Sequence, residues 1–219
     1  MHLPALALVI AQAAAPAAPK AAEPPPNPAP SGPVVAFEVV QGRTVFGTIT
    51  IALDPVKAPI SVRNFLSYVR AGHYDGTVFH RVMGNFMIQG GGYTPELEEK
   101  PTQPPIRNEA RNGLRNSRGT VAMARMNDPD SATSQFFINL KDNHMLDFGI
   151  GGAGYAVFGQ VIEGMDVADK IAAVPTTTRG PHQNAPMMAV VIKRAREVKV
   201  TAAPAPAPAP KPAAPPPKP

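Results

Sequence analysis

Residues 79–92 read Phe79-His80-Arg81-Val82-Met83-Gly84-Asn85-Phe86-Met87-Ile88-Gln89-Gly90-Gly91-Gly92. Two short apolar runs predict two strands, and Gly84-Asn85 between them predicts a tight turn, because both residues readily adopt a positive φ. Alternation along the first strand would place Phe79, Arg81 and Met83 on one face. A charged side chain on an apolar face is costly to bury. Arg81 therefore either lies on a rim with its aliphatic stem on apolar surface, or marks the edge of an apolar binding pocket.

The prolines are concentrated at the two ends of the 219-residue chain. Nine of the 28 lie in residues 1–33 and nine in residues 201–219. This distribution predicts one globular domain at residues 34–200, between two disordered Ala/Pro-rich tails. The chain has no cysteine, which excludes disulfides and cysteine–zinc sites but leaves the compartment open. Its net charge of +5 is too small and too dispersed to indicate nucleic-acid binding.

Residues 1–15 form a possible secretory signal peptide. Leu3–Ala11 is a short apolar run, and Ala11-Gln12-Ala13 fits a small-residue cleavage site. Only His2, and neither Lys nor Arg, stands before the apolar run, so the alternative is a disordered tail on a cytoplasmic protein. We predict export to the periplasm, with residues 16–33 as an extended, unpacked linker. The apolar run is too short to span a membrane.

The apolar periodicity after residue 33 predicts about eight strands and two helices. Val34–Val40 and Arg43–Leu53 are rich in β-branched residues and predict a hairpin, whereas Ala58–Ala71 and Gly164–Val174 predict helices with one apolar face. A closing strand is predicted at Met187–Val200. The absence of a strand–helix–strand rhythm indicates a mainly β fold, a closed antiparallel barrel capped by the two helices.

Alternation within strands predicts which side chains are buried. In Ser134–Asn139, Phe136 and Phe137 lie on opposite faces, so one is expected in the core and the other in a pocket. A half-buried strand is predicted by the alternation of Val45, Ile49 and Ile51 with Thr44, Phe46, Thr48 and Thr50. Tyr93–Arg118 has scattered prolines and charges and predicts a long surface loop.

The sequence offers no set of residues for nucleophilic, metal or cofactor chemistry. The five histidines lack metal-ligand spacing, and no serine or threonine lies in a nucleophile elbow. The glycine run Gly149–Gly154 lacks the Gly-Lys-Ser/Thr of a phosphate-binding loop. His80 lies on the opposite side of its strand from Arg81, so a structural hydrogen bond is its expected role.

The segments Phe79-His80-Arg81 and Phe86–Gly91 resemble the signature of cyclophilin-type peptidyl-prolyl isomerases, with a pattern closest to bacterial, periplasmic-type members. Further similarity extends over roughly residues 34–200 and includes Gly72–Thr77 and Arg118–Ala124. The resemblance implies an eight-stranded cyclophilin barrel that accelerates cis–trans isomerisation of X–Pro bonds during protein folding. The resemblance implies binding of proline-containing polypeptides, and we also expect a monomer that needs no cofactor. The alternative is a non-catalytic proline-binding or chaperone module that uses the same groove.

Isomerisation of an X–Pro bond suits a chain without a catalytic acid, base, nucleophile or metal. Rotation breaks no σ-bond, and its barrier of about 18–20 kcal/mol is amide resonance. Twisting localises the lone pair on the prolyl nitrogen, so a nearby guanidinium donates to it more strongly in the twisted state than in the planar ones. An acceleration of about 10⁵-fold requires roughly 7 kcal/mol.

The resemblance implies a role for each matching position. The catalytic set would be Arg81, Phe86 and Gln89, with Gln89 contacting a substrate carbonyl and helping to orient Arg81. The proline pocket would be lined by Phe86, Met87, Phe137 and Leu146, although ordinary core packing is the alternative for the two phenylalanines and the leucine. The remaining substrate-binding positions are Ala124 and Arg125 on the strand edge that pairs with the substrate backbone, Gln135 in the neighbouring groove, and Met145 and Tyr155.

Several positions depart from patterns common in the family. Gly84-Asn85 stands before the pocket phenylalanine, where many relatives have Pro-Gly. Met145 stands where many eukaryotic members have tryptophan and Tyr155 where they have histidine, as in bacterial members. The methionine puts tight cyclosporin binding in doubt. Arg125 replaces a smaller polar residue, but its contact is expected through backbone atoms, so the side chain is expected to matter little.

The C-terminal residues 201–219 repeat Ala-Pro and Lys-Pro units. One interpretation is a stiff spacer, about 60 Å long if it is fully polyproline II. The other is that its Ala-Pro units are ligands of the proline pocket, which tethering presents at roughly millimolar effective concentration.

Overall fold

The computed structural model describes residues 27–198 of the chain. The predicted signal peptide at residues 1–15, the first part of the predicted linker and the predicted tail at residues 201–219 lie outside the described residues.

Within residues 27–198 the chain forms a mainly antiparallel β structure with two α-helices, α1 (Pro59–Arg70) and α2 (Met165–Ala172). The strands are β1 (Val34–Gln41), β2 (Thr44–Leu53), β3 (Phe79–Met83), β4 (Met87–Gly90), β5 (Thr120–Met123), β6 (Phe136–Asn139), β7 (Val157–Glu163), β8 (Thr176–Arg179), β9 (His182–Pro186) and β10 (Val190–Val198). Eight of them form one sheet in the order β10-β1-β2-β7-β5-β6-β4-β3, and β8 and β9 form a separate hairpin.

The two edges of the eight-stranded sheet meet, so the sheet nearly closes into a barrel. An isolated bridge joins Val78 to Val191, and the amide of Ile192 donates to the carbonyl of Thr77 at 2.8 Å. The predicted fold class, an eight-stranded antiparallel barrel with two helices, is confirmed. Closure leaves few unpaired backbone groups at the sheet edges.

The barrel interior is filled by aromatic and β-branched side chains that alternate inward along each strand. Phe37, Phe136 and Phe158 are fully buried there, and Phe65 of α1 packs against Phe158 with ring centroids 5.0 Å apart. Helix α1 therefore covers the core with its apolar face, as its periodicity predicts. Helix α2 buries Val167, Ala168 and Ile171 in the same cluster.

A bulge in β3 overturns the prediction that Phe79, Arg81 and Met83 share one face. Phe79 pairs with Gly90 and Arg81 pairs with Gln89, so the register slips between them. The extra residue reverses the alternation, because a bulge sets two residues against one on the partner strand. Phe79 is consequently buried in the barrel, whereas Arg81 faces the outside.

A second bulge changes the predicted face of β2. Val39 pairs with Gly47 and Val40 with Val45, which leaves Phe46 without a cross-strand partner. Gly47 has φ +131°, an angle that other residues rarely adopt. Phe46 therefore packs against the core and Val45 is 75% exposed, contrary to strict alternation.

Three further local predictions differ from the structure. The turn at Gly84-Asn85 uses no positive φ and is closed by a hydrogen bond from the Phe86 amide to the Met83 carbonyl at 2.8 Å. The hairpin of β8 and β9 was not predicted, because its sequence is polar and lacks clear alternation. Residues 27–33, predicted to be unpacked, contact the barrel. Asn27 and the backbone of Arg115 exchange two hydrogen bonds of 2.9 Å.

Candidate active site

A pocket of about 100 Å³ lies on the outer face of the barrel, where β3, β4, β5 and β6 run side by side. Its lining consists of Arg81, Phe86, Met87, Gln89, Ala124, Arg125, Phe137, Leu146 and Tyr155. Nine of the eleven positions that the sequence analysis singles out are therefore brought together in one place. The other two are Gln135, which lines an adjacent groove, and Met145.

The pocket has an apolar floor that is separate from the barrel interior. Met87, Ala122, Ala124 and Phe137 belong to a second cluster of buried side chains, in which Phe86, Leu146 and Tyr155 are partly buried. The two clusters arise from alternation: Phe136 points into the barrel and Phe137 points out into the pocket, as predicted. Such a floor suits a small apolar ring, because a ring that binds there removes its apolar surface from water.

Arg81 supplies a positive charge at the edge of this apolar floor. It lies opposite Gln89 in the β3–β4 register, so both side chains are on the pocket side of the sheet. Among residues 27–198, the Arg81 side chain has no ion pair and no hydrogen bond. The guanidinium is therefore directed to the pocket without an acidic partner that would compete for its N–H groups.

Gln89 forms a side-chain hydrogen bond with Gln135 rather than with Arg81. The Nε2 of Gln89 donates to the Oε1 of Gln135 at 3.0 Å, which links the pocket to the adjacent groove. Gly92 allows this arrangement, because a Cβ at that position would lie 2.6 Å from the Cγ of Gln135. Arg81 and Gln89 do not form the hydrogen bond that the predicted orienting role of Gln89 suggests.

The strand edge beside the pocket offers backbone groups to an extended peptide. The Ala124 amide donates to the Gln135 carbonyl at 3.0 Å, whereas the Arg125 amide has no hydrogen-bond partner among residues 27–198. An unpaired backbone donor at a pocket edge is a natural partner for a peptide carbonyl.

Met145 lies next to the pocket without lining it. Its side chain is 73% exposed in the 3₁₀ turn His144–Leu146, whereas Leu146 points into the pocket. The amide of Tyr155 donates to the carbonyl of Leu146 at 2.9 Å and ties these two lining residues together.

A buried polar network that the sequence analysis missed fixes the apolar wall of the pocket. The Nδ2 of Asn143 donates to the carbonyl of Phe86 at 2.8 Å, and the Asn143 carbonyl accepts from the Leu146 amide at 2.8 Å. Asn143 also bonds the buried Asn139, whose Nδ2 reaches Asn116. These asparagines carry no sequence signal of their own, because their partners come from distant segments.

His80 lies next to Arg81 in β3, and its ring belongs to a cluster with Tyr93 and His182. Its ring centroid is 4.6 Å from that of Tyr93 and 6.0 Å from that of His182 on β9. The expected hydrogen bond is not made by Nδ1, which is buried without a partner among the described residues. Burial, together with the nearby charges of His182 and Arg81, lowers the pKa of His80 to about 4.

Residues 27–198 show neither a metal-binding cluster nor a helix able to span a membrane. No group of three or more histidine, cysteine or acidic side chains is placed to hold a metal ion in this part of the chain. Of the helices described there, none combines the length and apolar character that crossing a bilayer requires.

Comparison with known proteins assigns the chain to a family. Residues 37–197 match the family model described as cyclophilin type peptidyl-prolyl cis-trans isomerase/CLD. The chain is 58% identical over 162 residues to a peptidyl-prolyl cis-trans isomerase of Acinetobacter baylyi, covering 74% of this chain and 86% of that protein. It is 51% identical over 158 residues to peptidyl-prolyl cis-trans isomerase B of Escherichia coli, covering 71% and 96%.

Solved structures agree on the fold. A cyclophilin-type isomerase of Cryptosporidium parvum, crystallised in the presence of the dipeptide Ala-Pro, superposes with a TM-score of 0.64 at 24% identity, covering 76% of this chain and 99% of that one. At this identity the likeness concerns the fold alone, whereas the family match and the bacterial relatives rest on sequence. The chain belongs to the family of cyclophilin-type peptidyl-prolyl cis–trans isomerases.

Proposed function

We propose that the outer pocket is the site at which this chain, a peptidyl-prolyl cis–trans isomerase, isomerises X–Pro bonds of folding polypeptides. Proline would rest on Phe86, Met87, Phe137 and Leu146, while Arg81 faces the prolyl nitrogen. Members of the family bind proline-containing peptides, and the size of the pocket, about 100 Å³, suits one such ring. The observation that carries the proposal is the unpaired Arg81 guanidinium beside an apolar floor.

The reaction uses differential binding of the twisted amide. In the planar ground states the nitrogen lone pair is delocalised and accepts hydrogen bonds poorly. As the bond twists, the lone pair localises, and Arg81 donates to it from the edge of the pocket. The apolar floor excludes water and so strengthens this charge-assisted hydrogen bond.

The flanking chain would be held by polar groups around the pocket. The unpartnered Arg125 amide is available to a substrate carbonyl, and Gln89 and Gln135 present a second hydrogen-bonding pair. Holding both sides of the proline matters, because only a chain fixed on one side and turned on the other is driven through the twisted state.

Replacement of Arg81 tests the assignment directly. In Arg81→Ala we expect kcat/KM for an Ala-Pro peptide to fall by about 10²- to 10³-fold, the usual cost of losing one preorganised donor to the transition state. An NMR exchange or protease-coupled assay measures it, and Arg63→Ala on the exposed face of α1 is the matched control. Nearly full activity in Arg81→Ala would remove Arg81 from the mechanism.

Location and assembly are part of the proposal. We propose that residues 1–15 direct export and that the domain acts in the periplasm, since the apolar run and small residues fit a signal peptide. Fractionation with N-terminal sequencing tests this location: an uncleaved cytoplasmic chain contradicts it.

We also propose that the protein acts as a monomer without nucleic acid, since one chain supplies the whole pocket. Sedimentation tests the monomeric state.

A further inference from the structure

The side chain of Arg125 is part of the pocket, which the sequence analysis did not expect. Arg125 follows β5 and lines both the proline pocket and the adjacent groove. Its guanidinium carbon lies 4.5 Å from the centroid of the Tyr155 ring, and that ring packs edge-on against Phe137 at 5.7 Å. The Tyr155 ring therefore connects the Arg125 guanidinium to Phe137, part of the floor on which proline would bind.

Contacts on three sides fix the Arg125 guanidinium. Its Nε donates to the Gly154 carbonyl at 3.1 Å, its Nη1 donates to the Met126 carbonyl at 2.8 Å, and Tyr155 lies against its face. A guanidinium has five N–H groups. Two are used by these bonds, so the others have no protein partner among residues 27–198. A side chain already held in place loses little conformational entropy when it binds a ligand.

The charges around the pocket are unbalanced. Arg81 and Arg125 both line it, and no carboxylate does. Glu99 lines the adjacent groove, but Arg125 forms no ion pair with it or with any other acid in the described part of the chain. A carboxylate that enters this region therefore meets two cations, both with unused N–H donors.

We propose that Arg125 is a specificity-determining residue, which makes the enzyme favour X–Pro bonds with an acidic side chain immediately next to the proline. The inference rests on the proposed function of the pocket. An extended peptide that pairs with the strand edge at Arg125 has its opposing side chain on the same face as the Arg125 side chain. A proline seated on Phe137 then brings its neighbour within reach of the guanidinium.

The test compares short peptides that differ only at a residue flanking proline. Glu, Gln or Lys is placed before the proline in one series and after it in another, and kcat/KM is measured by NMR exchange at low salt. In the wild type we expect Glu to exceed Lys by about fivefold in at least one series, the range of a partly exposed ion pair. The ratio of kcat/KM for the Glu peptide to that for the Lys peptide should approach one in Arg125→Gln and fall below one in Arg125→Glu. In the wild type this ratio should move towards one at about 0.5 M salt because of screening.

Arg111→Gln is the control for net charge. Arg111 also stacks on an aromatic ring, with 4.5 Å from its guanidinium carbon to the centroid of Phe148, but it lies outside the pocket. This variant should keep the Glu-to-Lys ratio of the wild type. Turnover of all peptides without a charge preference, or a preference that survives in Arg125→Gln, overturns the role of Arg125 and leaves the isomerase function intact. No turnover of the neutral Gln peptides would instead count against the proposed function.

Discussion

At the scale of single residues, His80 and Arg81 show how one irregularity creates a site. They are adjacent in sequence, yet His80 is 5% exposed under β9 while Arg81 faces the open pocket. Alternation alone separates these two neighbours, whereas the bulge in β3 puts Arg81 on the opposite face from Phe79, because it shifts Arg81 into register with Gln89. Regular alternation would have fixed the side of Arg81 by that of Phe79, which is fully buried in the barrel.

The buried His80 should make stability depend on pH. Its folded pKa of about 4 lies below the ordinary value of 6.5, so the unfolded chain binds the proton more readily than the folded one. The contribution of His80 to stability is therefore full above pH 6.5 and is lost as the pH falls towards 4, by about 3 kcal/mol in the free energy of unfolding. Urea denaturation at several pH values measures this decline.

His80→Phe is the comparison, since it keeps an aromatic ring beside Tyr93 and His182. The variant should lose that part of the pH dependence between 6.5 and 4 which His80 contributes. If the wild type and His80→Phe show parallel curves over this range, His80 is not the group responsible.

At the scale of elements, α1 depends on a residue from a distant loop. Ala58 precedes the helix and has no side chain able to cap it. The Glu109 carboxylate accepts from the amides of Ile60 and Ser61 at 3.0 and 2.8 Å, and from the Ser61 hydroxyl at 2.8 Å. It thereby accepts hydrogen bonds from N–H groups that the first turn of a helix leaves unpaired. Its negative charge also interacts favourably with the positive end of the helix dipole.

Removal of this cap should destabilise the domain. We expect Glu109→Ala to lower the free energy of unfolding by about 1–2 kcal/mol, the usual effect of losing an N-terminal cap. Chemical denaturation followed by circular dichroism measures it. Glu96→Ala, at an exposed position of the same surface loop, should change stability little. Equal stability of the two variants would show that Glu109 does not cap α1 in solution.

At the scale of the whole molecule, the barrel has two apolar regions with different roles. The interior cluster holds the strands and helices together, and the smaller outer cluster forms the floor of the pocket. Residues of the pocket come from positions 81 to 155, and the pairing of β5, β6, β4 and β3 brings them together on one face of the sheet. The site is therefore expected to be lost cooperatively when the barrel unfolds.

The tail at residues 201–219 lies outside the described residues, and its competition for the pocket stays a prediction. Its Ala-Pro units would occupy the site at roughly millimolar effective concentration, so its deletion should lower the apparent KM for a short Ala-Pro peptide by about twofold. A tail of the same length with serine in place of proline is the matched control and should behave like the deletion. Unchanged KM in both variants would leave the spacer as the better interpretation.

Local sequence patterns were sufficient to predict the family, the barrel, both helices and most of the residues that line the pocket. These features follow from local periodicity and from a long ungapped motif, as with Phe136 and Phe137, whose opposite faces are a property of any regular strand. Other features depended on contacts between distant segments. The bulge beside Arg81, the Asn143 bonds to Phe86 and the Arg125 stack on Tyr155 arise only when separate strands pack together. Their energies come from partners far apart in the chain, so no local pattern records them.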